Sequence, residues 1–323
     1  MNDKTPAKAR LVSIDSRHER QRIDNYLLGA LKGVPKSHIY RLLRTGQVRV
    51  NKGRIKPLYR LKAGDVVRIP PVRLDERGDA GAPGRRLAQR LEEALLYEDE
   101  DLIILDKPSG MAVHGGSGIP HGVIEILRHA RPHLHDMELV HRLDRETSGC
   151  LMVSKHREML LDLQRQLKAD HIHKQYLALL KGSWRGGERL VDAPLCKNQR
   201  QGGERVVRVS SQGKGARTIF RPQAVFSGAS LMAVELCTGR MHQIRVHAAH
   251  IGCPIAGDRK YGDAAFNTMM KSHGLRRLFL HAASLEFFHP RRGERVRVSA
   301  PLGKELEQVL TNLGEFTVGC DET

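Results

Sequence analysis

Charge is spread so unevenly along this chain that one uniform domain is a poor description of it. Between Asp15 and Arg73 there are 15 Lys or Arg against 4 Asp or Glu, a net +11 in 59 residues, out of +18 for all 323. Within that block Ile23, Tyr26 and Leu27, then Ile39, Leu42 and Leu43, recur at helical spacing, with Pro35 and Ser37 starting the second helix and Gly46 stopping it. Val48-Arg-Val50 and Val66-Val-Arg-Ile69 alternate as short strands, with turns at Asn51-Lys-Gly53 and Ala63-Gly-Asp65. Residues 74–93 then mix charges around Gly78, Gly81, Pro83 and Gly84 without an apolar period until Leu91, the composition of a linker. The expected division is a flexible tail at 1–14, a basic domain at 15–73, the linker, a larger domain at 94–313 and a C-terminal tail at 314–323. The length suffices for two domains.

The basic block points to a partner. A solvated helix face mixes signs, whereas Lys36, Arg41, Arg44, Arg49, Lys52, Arg54 and Lys56 run almost without acids, as a surface that tracks phosphates does. No long apolar span or signal-type segment attributes the basicity to a membrane, so nucleic acid is the expected partner. Aromatic residues are only 4% of the chain, which favours recognition of RNA shape and backbone over base stacking on a sheet. Five cysteines, odd in number, widely spaced and without a Cys-x-x-Cys pair, read as free thiols of a cytosolic protein. The seventeen histidines, His129, His133, His135, His242, His247 and His250 among them, lack carboxylates or cysteines at ligand spacing; no metal is expected.

In the larger domain, strands expected at 102–106, 149–154, 175–180, 217–226 and 230–237 alternate with helical patterns at 122–130, 157–169 and 241–251. A strand pair at 278–288 and 294–299 and a helix at 303–312 follow. Interspersed strands and helices with hairpins make a mixed sheet of α+β class.

The chemistry is concentrated in His141-Arg-Leu-Asp-Arg-Glu-Thr-Ser-Gly-Cys-Leu151, which sets Asp144 between two arginines in an otherwise apolar or small segment. A carboxylate flanked by guanidinium groups stays ionised, which suits a nucleophile or base and not an acid. If the segment is extended, Arg142 and Asp144 share one face and Leu143 points the other way. Three more stretches accompany it: Lys107-Pro-Ser-Gly110 with Val113-His114, Lys174-Gln-Tyr176-Leu-Ala-Leu179, and Thr238-Gly-Arg-Met-His-Gln-Ile-Arg-Val-His247 opening an amphipathic helix. Taken singly these are weak: a glycine turn, a half-buried tyrosine, a helix start. A protein kinase is excluded despite the His-Arg-Leu-Asp string, because Asp-Phe-Gly and the glycine-rich nucleotide loop are missing. A non-catalytic RNA-binding protein would also account for the charge.

Together the stretches resemble the RluA family of RNA pseudouridine synthases, whose motifs His-Arg-Leu-Asp-x-x-Thr-Ser-Gly and Thr-Gly-Arg-x-His-Gln-Ile-Arg are matched. Gly257-Asp-x-x-Tyr-Gly262 and Leu280-His-Ala-x-x-Leu-x-Phe-x-His-Pro290 extend the match through the catalytic half. The basic block resembles an S4 domain in Arg22-Ile-Asp24, Arg41-Leu-Leu-Arg44, Gly46-x-Val-x-Val-Asn51 and Leu61-x-Ala-Gly-Asp65. The resemblance implies a pseudouridine synthase core with a mixed central sheet and a cleft, plus a small N-terminal S4-like RNA-binding domain. It implies catalytic roles for Asp144, Tyr176, Arg245 and Arg142: Arg245 pairs with Asp144, Tyr176 lies against the uracil, and Arg142 fills the space of the extruded base. The RNA-binding set is Lys36, Arg41, Arg44, Lys52, Arg54, Lys107 and His114. Similarity over the whole chain is greatest to members acting on large-subunit, 23S, ribosomal RNA, which implies that RNA as substrate, a monomer, and a reaction without cofactor.

Overall fold

The computed structural model describes residues 9–31, 34, 36–71, 83–116, 119–134, 136–201 and 204–314, in two compact units, Met1–Gly81 and Ala82–Thr323. The Pro35 start signal, the Lys36 side chain, residues 74–82 of the expected linker and residues 315–323 of the expected tail lie outside the described residues.

The first unit contains β1 (Arg10–Ser13), α1 (Ile23–Ala30), α2 (Lys36–Arg44), β2 (Arg49–Val50), β3 (Gly53–Arg54) and β4 (Val66–Ile69), with sheet order β1-β4-β2-β3. The residues at helical spacing, Ile23, Leu27, Ile39, Leu42 and Leu43, form its core with Val48, Val50 and Val67. Two carboxylates are buried with them, and each is used as a tie. Asp24 accepts from Arg22 Nη2 and from Tyr40 Oη, both at 2.6 Å, joining α1 to α2. Asp65 accepts from Asn51 Nδ2 at 2.8 Å, Tyr59 Oη at 3.0 Å and the Lys62 backbone N–H at 2.9 Å, fixing the two turns against each other. A buried carboxylate is tolerable only with such donors. The strand β1 corrects the tail expected at 1–14: it pairs with β4, although its Leu11 is exposed and only Val12 packs on the core, too short an apolar signal to read.

The second unit begins with a helix in the stretch expected as linker. This α3 (Arg85–Glu92) carries Arg85, Arg86, Arg90 and Glu92, which masks the inward trio Leu87, Ala88 and Leu91, the last fully buried in the main core of the second unit. There follow β5 (Leu95–Glu98), β6 (Leu102–Lys107), α4 (Val123–Ala130), β7 (Glu138–Leu139), β8 (Ser148–Ser154), α5 (Arg157–Lys168), β9 (His173–Lys181) and β10 (Arg189–Asp192). A hairpin of β11 (Leu195–Gln201) and β12 (Glu204–Val209) leads to β13 (Arg217–Phe226), β14 (Ala229–Leu236), α6 (Gln243–His250), α7 (Ala264–Ser272), β15 (Leu280–His289), β16 (Glu294–Ser299) and α8 (Lys304–Asn312). Ten strands form one sheet in the order β10-β13-β14-β9-β15-β8-β6-β5, with β16 on β15 and β7 on β8. The pairing of β15 with β8 is parallel and the others are antiparallel, so the sheet is mixed, as the alternation of elements predicts.

Alternation along β9 explains why both faces are covered. Tyr176, Ala178 and Leu180 enter the main core with α3, α4 and α5, whereas Leu177 and Leu179 face a second core built with Phe266 and Met270 of α7 and Leu306 and Val309 of α8. At the parallel junction the backbones come very close: a Cβ on Gly149, which has φ +105°, would lie 2.3 Å from the Ala282 carbonyl oxygen. Glycine is required there by space and by conformation.

The loop carrying Asp144 hangs from β8 by its first two residues. The Val140 N–H bonds the Met152 carbonyl at 3.1 Å, and the Met152 N–H donates to His141 Nε2 at 3.1 Å. His141 must therefore be neutral; burial, with a smaller push from Lys174, brings it from 6.5 down to about 4. As pH falls the unfolded chain takes up this proton first, so stability is lost from about pH 6.5 and the loss is complete below about pH 4. A shift of this size is worth up to about 3 kcal/mol. The prediction is that His141→Gln, which cannot titrate, has a flatter dependence of unfolding free energy on pH between 6.5 and 4 than the wild type in urea titrations. Parallel curves would remove His141 as a neutral acceptor.

Candidate active site

The Asp144 loop is clamped from below by the Lys107-Pro-Ser-Gly110 turn. Lys107 is fully buried, and its Nζ donates to the carbonyls of Pro108 at 2.9 Å, Met111 at 2.8 Å and Arg145 at 3.1 Å. The Gly110 N–H also bonds the Arg145 carbonyl at 2.9 Å, and Ser109 Oγ donates to the Glu146 carbonyl at 2.6 Å. This corrects the expectation that Lys107 binds RNA: all three of its donors are taken by carbonyls, and burial pushes it down to about 7 against the pull of Glu146 and Asp144. Its task is to fix the loop. A turn then closes between the Asp144 carbonyl and the Thr147 N–H at 3.1 Å, with Leu143 buried and Arg142 exposed on the other side, as the alternation requires.

Opposite the loop stands α6. The sequence suggests an amphipathic helix from 241, but the helix starts at Gln243 after His242, which takes a left-handed φ of 53°, and residues 243 to 248 are all buried. Its polar side chains face partners instead of water. Gln243 Nε2 donates to the Arg217 carbonyl and to Thr218 Oγ1, and its Oε1 accepts from Thr238 Oγ1 and from the Arg240 N–H. His247 bonds Thr218 Oγ1 at 2.8 Å and the Ala193 carbonyl at 2.9 Å. With every polar group satisfied, the helix is locked onto β13 and cannot rotate without breaking several buried hydrogen bonds.

That rigidity aims Arg245. Its Nε and Nη2 grip Asp258 at 2.7 and 2.8 Å, and its remaining Nη1 reaches Asp144 Oδ2 at 3.2 Å. Asp258 is further held by the N–H groups of Lys260 at 2.8 Å and Tyr261 at 3.0 Å. Side-chain exposure rises along the chain of charges, from 1% for Asp258 to 10% for Arg245 and 24% for Asp144, so charge is anchored deep and presented shallow. Burial works against the Arg245 charge, but the hydrogen bonds and charge of Asp258, then Asp144, hold it above its ordinary value. Burial likewise raises Asp258, and Arg245 with the two backbone donors more than reverses this, leaving it below the ordinary carboxylate range. The Tyr261 ring lies under the Arg245 guanidinium, 5.1 Å from centroid to Cζ.

Asp144 and Arg245 line a cleft of about 570 Å³ with Arg142, Thr147, Lys174, Tyr176, Arg240 and His242. Tyr176 is 6% exposed, and among the described residues its hydroxyl makes no hydrogen bond. Burial, and then the charge of Asp144, pushes this phenol above its ordinary value, so it is protonated at neutral pH. The Arg142 guanidinium makes no ion pair or hydrogen bond among the described residues. The four expected catalytic residues are thus brought together in one cleft. Of the expected RNA-binding residues, Arg41, Arg44, Lys52 and Arg54 are exposed on the first unit, and His114 is exposed on the second without lining the cleft. The matched stretch Gly257-Asp-x-x-Tyr-Gly262 does not by itself reveal the roles of Asp258 and Tyr261. The signal was present as an acid, an aromatic and two glycines in one short stretch.

Ligand-type side chains also cluster away from the cleft, where atoms of Asp99, Asp101 and His289 lie within 4.8 Å of one another. Each already has a partner in the protein: His289 Nε2 bonds Asp99 Oδ2 at 3.0 Å, His289 Nδ1 accepts from the Arg292 N–H, and Asp101 Oδ1 forms an ion pair with Arg291 Nη1 at 2.8 Å. No helix among the described residues is long and apolar enough to cross a membrane.

The chain is similar to known proteins. The family model described as RNA pseudouridylate synthase matches residues 101–250, and that described as S4 domain matches residues 21–67. Ribosomal large subunit pseudouridine synthase C of Pasteurella multocida is 51% identical over 98% of both chains. The protein of that name from Escherichia coli K12 is 50% identical over 97% of this chain and 99% of its own. Among solved structures, human RNA pseudouridylate synthase domain containing 4 superposes with a TM-score of 0.59 at 26% identity, over 71% of this chain and 95% of that one. With its matched motifs converging on one carboxylate and an S4 domain ahead of them, the chain belongs to the RluA family of RNA pseudouridine synthases.

Proposed function

We propose that the chain isomerises uridine to pseudouridine at particular positions of large-subunit, 23S, ribosomal RNA, with Asp144 as the reacting carboxylate. The observation that carries the assignment is the Asp258–Arg245–Asp144 chain, which presents one carboxylate to a cleft large enough for a nucleoside while its other oxygen is held at 3.2 Å. The relatives spanning nearly the whole chain supply the substrate class by their names.

The reaction breaks the N1–C1′ bond, turns the uracil, and rejoins C5 to C1′; the C5 proton leaves and N1 gains one. Nothing is oxidised or reduced, and the atoms balance without a cofactor. Three roles are open to Asp144: addition to C1′, addition to C6, or removal of the 2′ proton. Each needs an ionised, oriented oxygen, which is what the Arg245 hydrogen bond leaves at Oδ1. Tyr176 offers an aromatic face to an extruded pyrimidine in place of its lost neighbours. Because its phenol is protonated at neutral pH, it serves as a platform at rest and can take the C5 proton only after giving up its own. Arg142, exposed at the cleft and without an ion pair among the described residues, is suited to fill the gap left in the RNA. Enclosure by Leu143, Ile244 and Leu280 keeps water from the detached base. The four described cysteines are free, which suits work in the cytoplasm.

Asp144→Asn tests the assignment. Pseudouridine formation should be abolished while RNA binding and melting temperature are kept; activity within about tenfold of wild type, only ~1.4 kcal/mol of transition-state stabilisation, would exclude an essential role.

The exposed basic side chains of the first unit supply affinity in this reading. A chain beginning at Pro83, which spares α3, should retain its fold and active cleft but bind ribosomal RNA less tightly. The slope of log affinity against log salt should become shallower by roughly 3, for about four fewer phosphate contacts, those of Arg41, Arg44, Lys52 and Arg54, at about 0.7 each. An unchanged slope would show that the S4 domain does not touch the RNA in the complex.

A further inference from the structure

The free oxygen of Asp144 has a neighbour that the chemistry above does not use. His242 Nε2 lies 3.9 Å from Asp144 Oδ1, too far for a direct hydrogen bond and far enough apart for one oxygen to sit between them at about 2.8 Å from each. The ring is held for this position. His242 Nδ1 is 2.8 Å from Tyr261 Oη, and that same Oη accepts the Val207 N–H at 3.1 Å. A phenol that accepts from Val207 has its own proton to give, and giving it to Nδ1 assigns the imidazole proton to Nε2, facing Asp144. The backbone of His242 stands at φ 53°, a left-handed conformation uncommon for a side chain of this size, and the packed helix α6 behind it maintains that strain. Burial lowers the imidazole, with Arg245 and Lys260 pushing the same way and Asp144 and Asp258 opposing, so the ring is neutral and a single donor.

A donor and an ionised carboxylate on either side of a gap select an atom that both accepts and donates. Uracil O2 and O4 and the phosphate oxygens only accept, and uracil N3–H only donates. Within a strand the 3′ and 5′ oxygens are esterified, so the 2′-hydroxyl is the one group of a target uridine that does both. We propose that His242 Nε2–H and Asp144 Oδ1 together hold the 2′-hydroxyl of the target uridine, which makes His242 a substrate-contacting residue that selects ribose over deoxyribose. The inference rests on the pseudouridine synthase reading and deepens it. The hydroxyl donates to Oδ1 and accepts from His242, which pins C1′ and C2′ beside the carboxylate whichever of its three roles Asp144 takes.

Single-turnover rates of pseudouridine formation on large-subunit ribosomal RNA transcripts made with UTP or with 2′-deoxy-UTP provide the test, using wild-type enzyme and His242→Asn. Asparagine tolerates the left-handed backbone but is too short to reach the gap. Wild-type enzyme should lose roughly 100-fold or more on the deoxy transcript, because a site built for a hydroxyl is left with unpaired groups. Removing the hydroxyl makes the glycosidic bond intrinsically weaker, so for addition to C1′ or C6 this loss cannot be inductive; for removal of the 2′ proton, the comparison with His242→Asn separates the contact from the inductive effect. His242→Asn should be roughly tenfold or more slower than wild type on the ribose transcript and within about threefold of it on the deoxy transcript, the non-additivity of a shared contact. Equal, multiplicative effects of variant and deoxy substitution would overturn the proposal. So would wild-type turnover of the deoxy transcript within about threefold of the ribose one, a result that needs no variant to fold. Absence of pseudouridine in the ribose transcript with wild-type enzyme would instead overturn the functional reading beneath it.

Discussion

Arg245 is the constraint on which the rest of the active half depends. A guanidinium with two of its nitrogens, Nε and Nη2, fixed on a buried carboxylate has little freedom left, and the third nitrogen, Nη1, then points in one direction only. The direction is toward Asp144 Oδ2. Taking Arg245 and Asp258 out of water is costly and is offset only because the pair is bidentate and Asp258 receives two further backbone donors. The arrangement is therefore a poor way to add stability and a good way to fix an angle.

Everything around this pair serves to keep the two halves of the cleft in register. On one side Lys107 gathers three carbonyls and holds the Asp144 loop from below, while His141 ties the same loop to β8. On the other, Gln243 and His247 bolt α6 to β13 through Thr218. Between the loop and α6 runs the sheet, where β8 and β15 meet in parallel at Gly149 and Ala282 and β9 lends Tyr176 to the cleft floor. A shift of one residue in β9 would turn Tyr176 away from Asp144 and toward the second core.

The sequence was most readable where chemistry and periodicity coincide. Asp144 flanked by arginines marks itself, and the run Cys150-Leu-Met-Val153 marks the central strand behind it. The role of Asp258 was not legible, because its function is relational: an acid in a glycine turn gains meaning only when a helix from elsewhere brings Arg245 against it. Lys107 misled for the converse reason, since a lysine beside a glycine loop reads as a phosphate contact until its burial is known. Helix α3 and strand β1 were missed where charged or exposed residues outnumber the few inward ones. The amphipathic reading of α6 failed because its polar residues are hydrogen-bonded inside the protein, which no period distinguishes from solvation.

If Asp258 orients Arg245 and through it Asp144, its effect belongs to turnover and not to RNA affinity. The most direct measurement is kcat and KM of Asp258→Asn on large-subunit ribosomal RNA, taken well below the variant's melting temperature. The account predicts a fall in kcat of roughly 100-fold or more, ~3 kcal/mol, with KM within a few-fold of wild type. A folded Asp258→Asn enzyme with kcat within about tenfold of wild type would show that Asp144 needs no such anchoring, and would contradict it.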